Sequence, residues 1–358
     1  MLKVALIGCG RIAEKHLKAL RFQEKKARAQ LLAVVDSNPD LARKRLSEYC
    51  GGYFSQLPVY SSSAELYERE EVEAVAITTP SGSHYALAKE AMDAGCHLLI
   101  EKPMAMWAEE ARELAEIAKA KNSIIALGHI YRYFPAVQEL AEDIKTGRFG
   151  RVYYGTVTVR WGHDQDYYDS APWRGTWAAD GGVVMNQSVH ALDLMQWLLQ
   201  AEGLMGVKAS CARQSHEMEA EDLGLALFEF SNDIFLNYEG TTSTDPQAKE
   251  AAFFIACEKA DIRAQLFGKK LRFSVKEKGE KELRWQYIWR WLKNAYQRDG
   301  LGAIVAAGRP HQAIYSDWLT AINEARKPVA DAEAGVRSLE MVEALYEDAG
   351  VDRPSKKE

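Results

Sequence analysis

The chain reads as two domains in tandem, an α/β domain built on a doubly wound parallel sheet and then an α+β domain with a large, mostly antiparallel sheet. Three observations predict this. Short apolar runs alternate with helical periodicity through the first third; the texture turns β-rich from Arg151 onward; and 358 residues suit two substantial cores.

The strand-like runs of the first third are "LKVALIG", "LLAVVD", "VEAVAITT" and "CHLLIE". Between them lie the helical segments "AEKHLKALRF", "DLARKRLSEY" and "HYALAKEAMDAG". Buried runs separated by helices imply parallel strands joined by right-handed crossovers. The helix "EEARELAEIAKAKN" and the strand "SIIALGHI" close this part, which sets the expected division at 1–125 and 126–358. The second part carries "RVYYGTVTVRW", "LGLALFEFSNDIFLNYEG" and "EAAFFIAC", with a hairpin turn expected at Asn232-Asp233. The segment "ELRWQYIWRWLKNAYQR" has Trp285, Ile288, Trp289, Leu292 and Tyr296 on one stripe. Its internal position favours a core or subunit-interface helix over one lying on a membrane. The terminal "RPSKKE" reads as frayed.

Composition narrows the class. A chain 47% hydrophobic and 27% charged is that of a water-soluble globular protein, and a net charge of −6 speaks against nucleic-acid or anionic-membrane partners. No apolar run approaches the roughly 18 residues that span a bilayer. Five scattered cysteines without CxxC spacing suit reduced thiols in the cytoplasm and suggest no metal site.

The first βα turn, "VALIGCGRIAEKH", has Gly8, Gly10 and Ala13 as G-x-G-x-x-A. Gly8 permits the tight turn, Gly10 lets the backbone approach a pyrophosphate, and Ala13 allows close helix packing; Arg11 and Ile12 lie between them at the helix start. The second strand ends on Asp36, positioned to accept from adenosine ribose hydroxyls, or else to cap the next helix. No arginine follows Asp36 directly, so NAD is expected rather than NADP. Thr79, Pro80 and His84 fall at the carboxyl edge of the fourth strand, and Glu101-Lys102-Pro103 at that of the fifth. An ammonium at the tip of a buried strand is costly unless it has a partner or a task.

This series of motifs, with "RYFPA" and "GGVVMNQSVHALDLMQW" further on, resembles the Gfo/Idh/MocA oxidoreductase family over nearly the whole chain. The resemblance implies an N-terminal Rossmann domain and a C-terminal domain whose open-faced sheet serves substrate binding and homodimer or homotetramer formation. It also implies an NAD-dependent dehydrogenase of a sugar-like CH–OH group. On that resemblance Lys102 acts between nicotinamide and substrate, preceded by Glu101 and followed by a cis bond to Pro103, and His190 is the general base. Asn186 stands where inositol-dehydrogenase-like members carry aspartate, so it orients substrate instead of relaying a proton. Asp193 is a candidate for orienting His190.

The run "HDQDYYDSAPWRGTWAADGGVVMNQSVHALDLMQW" most resembles members that oxidise UDP-N-acetylglucosaminuronic acid. That implies substrate contacts from Tyr168, Trp173 and Arg174, with aromatic faces for sugar or uracil and a guanidinium fork for carboxylate or phosphate. Arg132 is carried over as a further substrate contact, although the surrounding "GHIYRYFPA" departs from that subfamily. The alternatives are a dehydrogenase of free sugar or inositol, a member using NAD transiently to hydrolyse glycosides, and a non-catalytic NAD-sensing regulator.

Overall fold

The computed structural model describes residues 1–267, 272–279, 282–299 and 309–354; the last four residues of the terminal segment lie outside these. Two compact units result: Met1–Tyr133 with Gly308–Val336, and Phe134–Ala307 with Arg337–Glu358.

The first unit holds strands β1 (Leu2–Ile7), β2 (Ala29–Val35), β3 (Val59–Tyr60), β4 (Ala74–Ile77), β5 (His97–Ile100) and β6 (Ile125–Leu127). They pair in the order β3-β2-β1-β4-β5-β6, all parallel, the doubly wound arrangement expected from the buried runs. Helices α1 (Ala13–Lys25), α2 (Pro39–Glu48), α3 (Ser63–Arg69), α4 (His84–Asp93) and α5 (Ala108–Lys121) are the crossovers. Every residue of β4 is buried, as a strand covered on both faces requires.

The second unit begins with α6 (Pro135–Lys145), β7 (Val152–Arg160) and α7 (Gln165–Asp169), followed by α8 (Val189–Leu199). Its remaining strands are β8 (Leu204–Ala212), β9 (Leu223–Phe230), β10 (Ile234–Thr241), β11 (Glu250–Cys257), β12 (Ala260–Phe267) and β13 (Arg272–Glu277). The sheet order is β13-β12-β11-β7-β10-β9-β8, antiparallel except for the β10/β7 pair. The expected hairpin joins β9 to β10, with Asp233 at φ +57°. Helix α8 covers the inner face so closely that a Cβ on Gly155 of β7 would lie 2.7 Å from Met195 and 3.1 Å from Leu199. A larger residue there would have to push the flexible end of Met195 aside.

Helix α9 (Arg284–Asp299) does not bury the tryptophans of its aromatic stripe in the core of its unit, which leaves the subunit-interface alternative for that face. Trp285, Trp289 and Tyr296 are 65%, 69% and 56% exposed. The face turned inward instead carries Tyr287, whose hydroxyl donates to Asp143 Oδ2 at 2.5 Å, and Arg290, which pairs with the same carboxylate at 2.7 Å. One buried carboxylate on α6 thus outweighs the wider apolar stripe.

Two late helices follow, α10 (Pro310–Glu324) and α11 (Ala332–Asp348). A division at residue 126 assigns α10 to the second domain, yet it packs within the first unit, against α1, where Gln23 Nε2 donates to Ser316 Oγ at 2.8 Å. No helix of the described residues is long and apolar enough to cross a membrane, and all five cysteines are free thiols.

Candidate functional site

In the first unit the site is assembled at the carboxyl ends of β1, β2, β4 and β5. Gly8 has φ +98°, and a Cβ there would meet the backbone of Thr78 and Thr79 at 2.8 Å, so the turn demands glycine. Gly10 differs. A Cβ on it would meet nothing within 4 Å, so internal packing does not require glycine, while a ligand backbone approaching the turn would. Arg11 is exposed beside it, and Ile12 precedes α1 without a side-chain cap on the helix's first N–H groups. Ala13 is fully buried, as close packing requires.

Asp36 does not cap α2. That cap is Asn38, whose side chain accepts from Leu41 N–H at 3.0 Å. Asp36 instead accepts from Cys9 N–H at 2.7 Å and Asn38 N–H at 2.8 Å, pinning the glycine turn to the end of β2. Each carboxylate oxygen retains a further lone-pair direction for a ribose hydroxyl. Burial pushes the Cys9 thiol up to about 12, which removes it as a nucleophile at neutral pH. The open Gly10 turn, the uncapped α1 and Asp36 together suit a dinucleotide.

Three expected cofactor contacts have different surroundings. Thr79 is half-buried and its hydroxyl accepts from Ser83 Oγ at 2.7 Å, whereas Pro80 is exposed. His84 is 1% exposed, with ring nitrogens 2.9 Å from the Thr79 carbonyl and 2.7 Å from the Pro103 carbonyl. Burial lowers its pKa and the two carbonyls oppose that shift. His84 therefore sits between the β4 and β5 edges, a neutral ring having one N–H to give to one or other of these carbonyls, and is not an outward contact. Glu101 is 9% exposed and engaged with His16, at 2.9 Å, so it too faces the fold. Lys102, between them, is half-buried, and its bond to Pro103 is cis as expected. Arg132, expected as a substrate contact, is only 2% exposed and donates to the Val329 carbonyl at 3.0 Å, tying its turn into the first unit.

In the second unit Asn186 and His190 do not share one α-helix. Asn186 lies in a π-helical turn, Val183–Ser188, and α8 begins just after it. Such turns recur at functional sites because they re-aim side chains. Here the turn is fixed from outside: Glu221 accepts from Val184 N–H and from the Tyr346 hydroxyl, both at 2.9 Å. A Cβ on Gly182 would strike that carboxylate. Burial raises Glu221 to about 7. Asp180, 2% exposed, accepts from Gly175 N–H at 2.8 Å and from the Asn186 amide. Asn186 and His190 are partly exposed, while Met185, Ser188, Val189 and Ala191 beside them are buried. Asp193 is fully buried on α8.

Arg174 is sandwiched. Its guanidinium lies 4.2 Å from the Tyr167 ring centroid and 4.5 Å from that of Trp173, and its Nε donates to Ser170 Oγ at 3.1 Å. His163 stacks on the other side of Tyr167, with centroids 3.5 Å apart and planes at 11°, and burial lowers it to about 4. Tyr168 meets this stack edge-on, its ring centroid 5.1 Å from that of Tyr167 and 6.1 Å from that of His163. It is 8% exposed and donates to Thr242 Oγ1 at 3.0 Å, an internal brace. Sequence reasoning missed Asp180, Glu221, His163 and His16. Only Asp180, directly before Gly181-Gly182, carried a local signal.

Comparison with known proteins agrees with this anatomy. Residues 2–129 match the oxidoreductase family model of an NAD-binding Rossmann fold, and residues 141–356 match that family's C-terminal alpha/beta domain. The chain belongs to the Gfo/Idh/MocA oxidoreductase family, with NAD as the cofactor of its N-terminal domain. It is 29% identical over 201 residues, 56% of its length, to the rhizopine catabolism protein MocA of Rhizobium meliloti. It is 32% identical over 201 residues, again 56% of its length, to UDP-N-acetylglucosamine 3-dehydrogenase of Acidithiobacillus ferrooxidans. Those matches span 58% and 55% of the relatives, less than two thirds of their length. A crystal structure of the WlbA dehydrogenase from Bordetella pertussis, in complex with NADH and UDP-GlcNAcA, is similar with a TM-score of 0.82 and 28% identity, covering 100% of this chain and 98% of that one.

Proposed function

We propose that this protein oxidises a hydroxyl of a nucleotide sugar, a UDP-hexuronate in particular, with NAD as hydride acceptor. The observation that carries the reading is the end-to-end likeness to a dehydrogenase holding NADH and UDP-GlcNAcA. The side chains are of the right kind. Arg174, held between two aromatic rings, offers a planar cation for carboxylate or phosphate, and Trp173 a face for sugar or uracil. Asn186, steadied by Asp180, orients the sugar. His190 accepts the hydroxyl proton as general base. Lys102 hydrogen-bonds the reacting oxygen through its ammonium and steadies the charge that develops there. Bound NAD supplies the hydride acceptor, held by the Gly8–Gly10 turn and Asp36.

In this reading the N-terminal domain serves the cofactor, the C-terminal domain serves substrate and assembly, and the protein works in the cytoplasm, where its thiols stay reduced. Copies associate through the outer face of the seven-stranded sheet. The test is a substrate panel with the purified protein. UDP-N-acetylglucosaminuronate is expected to support NAD reduction far better than free inositol or glucose. Efficient turnover of free polyols, with no reaction or binding of nucleotide sugars, would replace it with a general sugar dehydrogenase.

A further inference from the structure

We infer that His16 is a positioning residue for Lys102, acting through the buried carboxylate of Glu101; this rests on the catalytic reading of Lys102. His16 on α1 and His311 on α10 are 2% and 7% exposed. His16 Nε2 lies 2.9 Å and His311 Nε2 3.8 Å from the same oxygen, Glu101 Oε1. The other carboxylate oxygen accepts from Lys102 N–H at 3.3 Å. A carboxylate only accepts, so the 2.9 Å contact makes His16 Nε2 a donor. His16 Nδ1 then accepts from the Tyr315 hydroxyl at 3.1 Å. The chain runs Tyr315 to His16 to Glu101 to the Lys102 backbone, every donor matched to an acceptor.

The carboxylate packs close against Gly128, where a Cβ would lie 2.8 Å from Glu101 Oε2. On the other side of Lys102, His84 of α4 holds the Pro103 carbonyl. The turn bearing Lys102 is thus gripped on both flanks by buried histidines. The charged and titratable groups around Glu101 are His16 and Lys15 on α1, His311 and Tyr315 on α10, His84 on α4, and Lys102 itself. Burial holds His311 down at about 4, hence neutral at pH 7. The ligating atoms of His16, Glu101 and His311 lie within 4.8 Å of one another, close enough for a divalent ion. The 2.9 Å contact is nevertheless a hydrogen-bond distance, and Tyr315 completes His16, so protons already satisfy this set.

Placement of a catalytic group is worth about 10²-fold in rate. His16→Leu is therefore expected to lower kcat on UDP-N-acetylglucosaminuronate by about 10²-fold while NADH affinity, read by fluorescence titration, stays put. His16→Gln, whose Nε2 reproduces the donor, should restore most of the rate. Glu101→Gln removes a negative charge beside Lys102. Reductive methylation of Lys102 in the cofactor-free protein, followed by peptide mass, should then move to lower pH than in wild type. Elemental analysis should find no stoichiometric divalent metal.

The inference is overturned if the Gln and Leu variants behave alike, if kcat and NADH affinity fall in step, if the methylation profile does not move, or if one ion per chain is found and lost with His16. Lys102→Met separates the two levels. Near-normal turnover in that variant removes the catalytic reading and this inference with it. A dead Lys102→Met beside an unaffected His16→Leu removes this inference alone.

Discussion

The two sheets use their faces differently. The parallel sheet is covered on both sides, as the wholly buried β4 shows, so it can present chemistry only at its strand ends. Gly8, Asp36, Thr79 and Lys102 all lie there. The seven-stranded sheet is buried on one face only: along β9, buried residues alternate with Leu225, 43% exposed, and Leu227, 46% exposed. Phe235 and Tyr154, at 39% and 43%, continue that outer face on β10 and β7. A sheet with a spare apolar face can serve assembly while the helix on its other side carries a site.

If the edge of the first sheet carries the chemistry, Lys102→Met should have the largest effect of any single change. Turnover should fall by roughly 10³-fold or more while NAD affinity, set at Gly8, Gly10 and Asp36, is nearly intact. His190→Ala, on the covered side of the second sheet, should cost roughly 10²- to 10⁴-fold in kcat, and less at high pH where the hydroxyl needs less help. A change in KM alone would make His190 a binding residue. Steady-state kinetics with direct NADH binding decides both.

Arg174→Ala should act on the other kinetic constant. Losing one charge-assisted contact is expected to raise KM for the nucleotide sugar by about tenfold, which is about 1.4 kcal/mol, with a smaller effect on kcat. An equal fall in kcat with unchanged KM would assign Arg174 to the chemical step.

The open face is tested separately from chemistry. Leu227→Glu places a carboxylate amid Leu225 and Phe235 on the surface proposed for self-association. Light scattering is expected to show a smaller species than wild type. A wild type that is already monomeric, or a variant that keeps its assembly, would leave the face without that role.

How far these arrangements are legible in sequence depends on how local their causes are. The strand order, the Gly8 turn and the Lys102 position follow from periodicity and from motifs a few residues long. Asn186 and His190 were legible as a pair, yet their geometry was not. The π-helical turn is held by Glu221, 35 residues from Asn186, and by Tyr346 still further on, and neither announces itself locally. The same holds for α9. Its period is right, but which face turns inward was decided by Asp143 on another helix. His16 lies three residues past the glycine motif, and its partner Tyr315 is nearly 300 residues away, so the network could not be read.

Glu221 offers a test of stability instead of turnover, because it makes the support of the second site titrate. Burial raises its folded pKa to about 7 from the ordinary carboxylate value of 4.5. Between those values the folded protein keeps a proton that the unfolded chain gives up. The folded state therefore binds more protons there, and stability falls as pH rises through the window. The contribution is whole below about 4.5 and fully lost above about 7. A gap of 7 − 4.5 = 2.5 units corresponds to at most about 3 kcal/mol, at 1.36 kcal/mol per unit. Glu221→Gln keeps an acceptor for Val184 N–H and Tyr346 but cannot ionise. Relative to wild type, its Tm should gain progressively between pH 5 and pH 8, by at most about 6–12 °C at about 2–4 °C per kcal/mol for a domain of this size. Tm curves that stay parallel across that range would mean Glu221 does not titrate in the folded protein, and the π-helical turn would then lose its pH dependence.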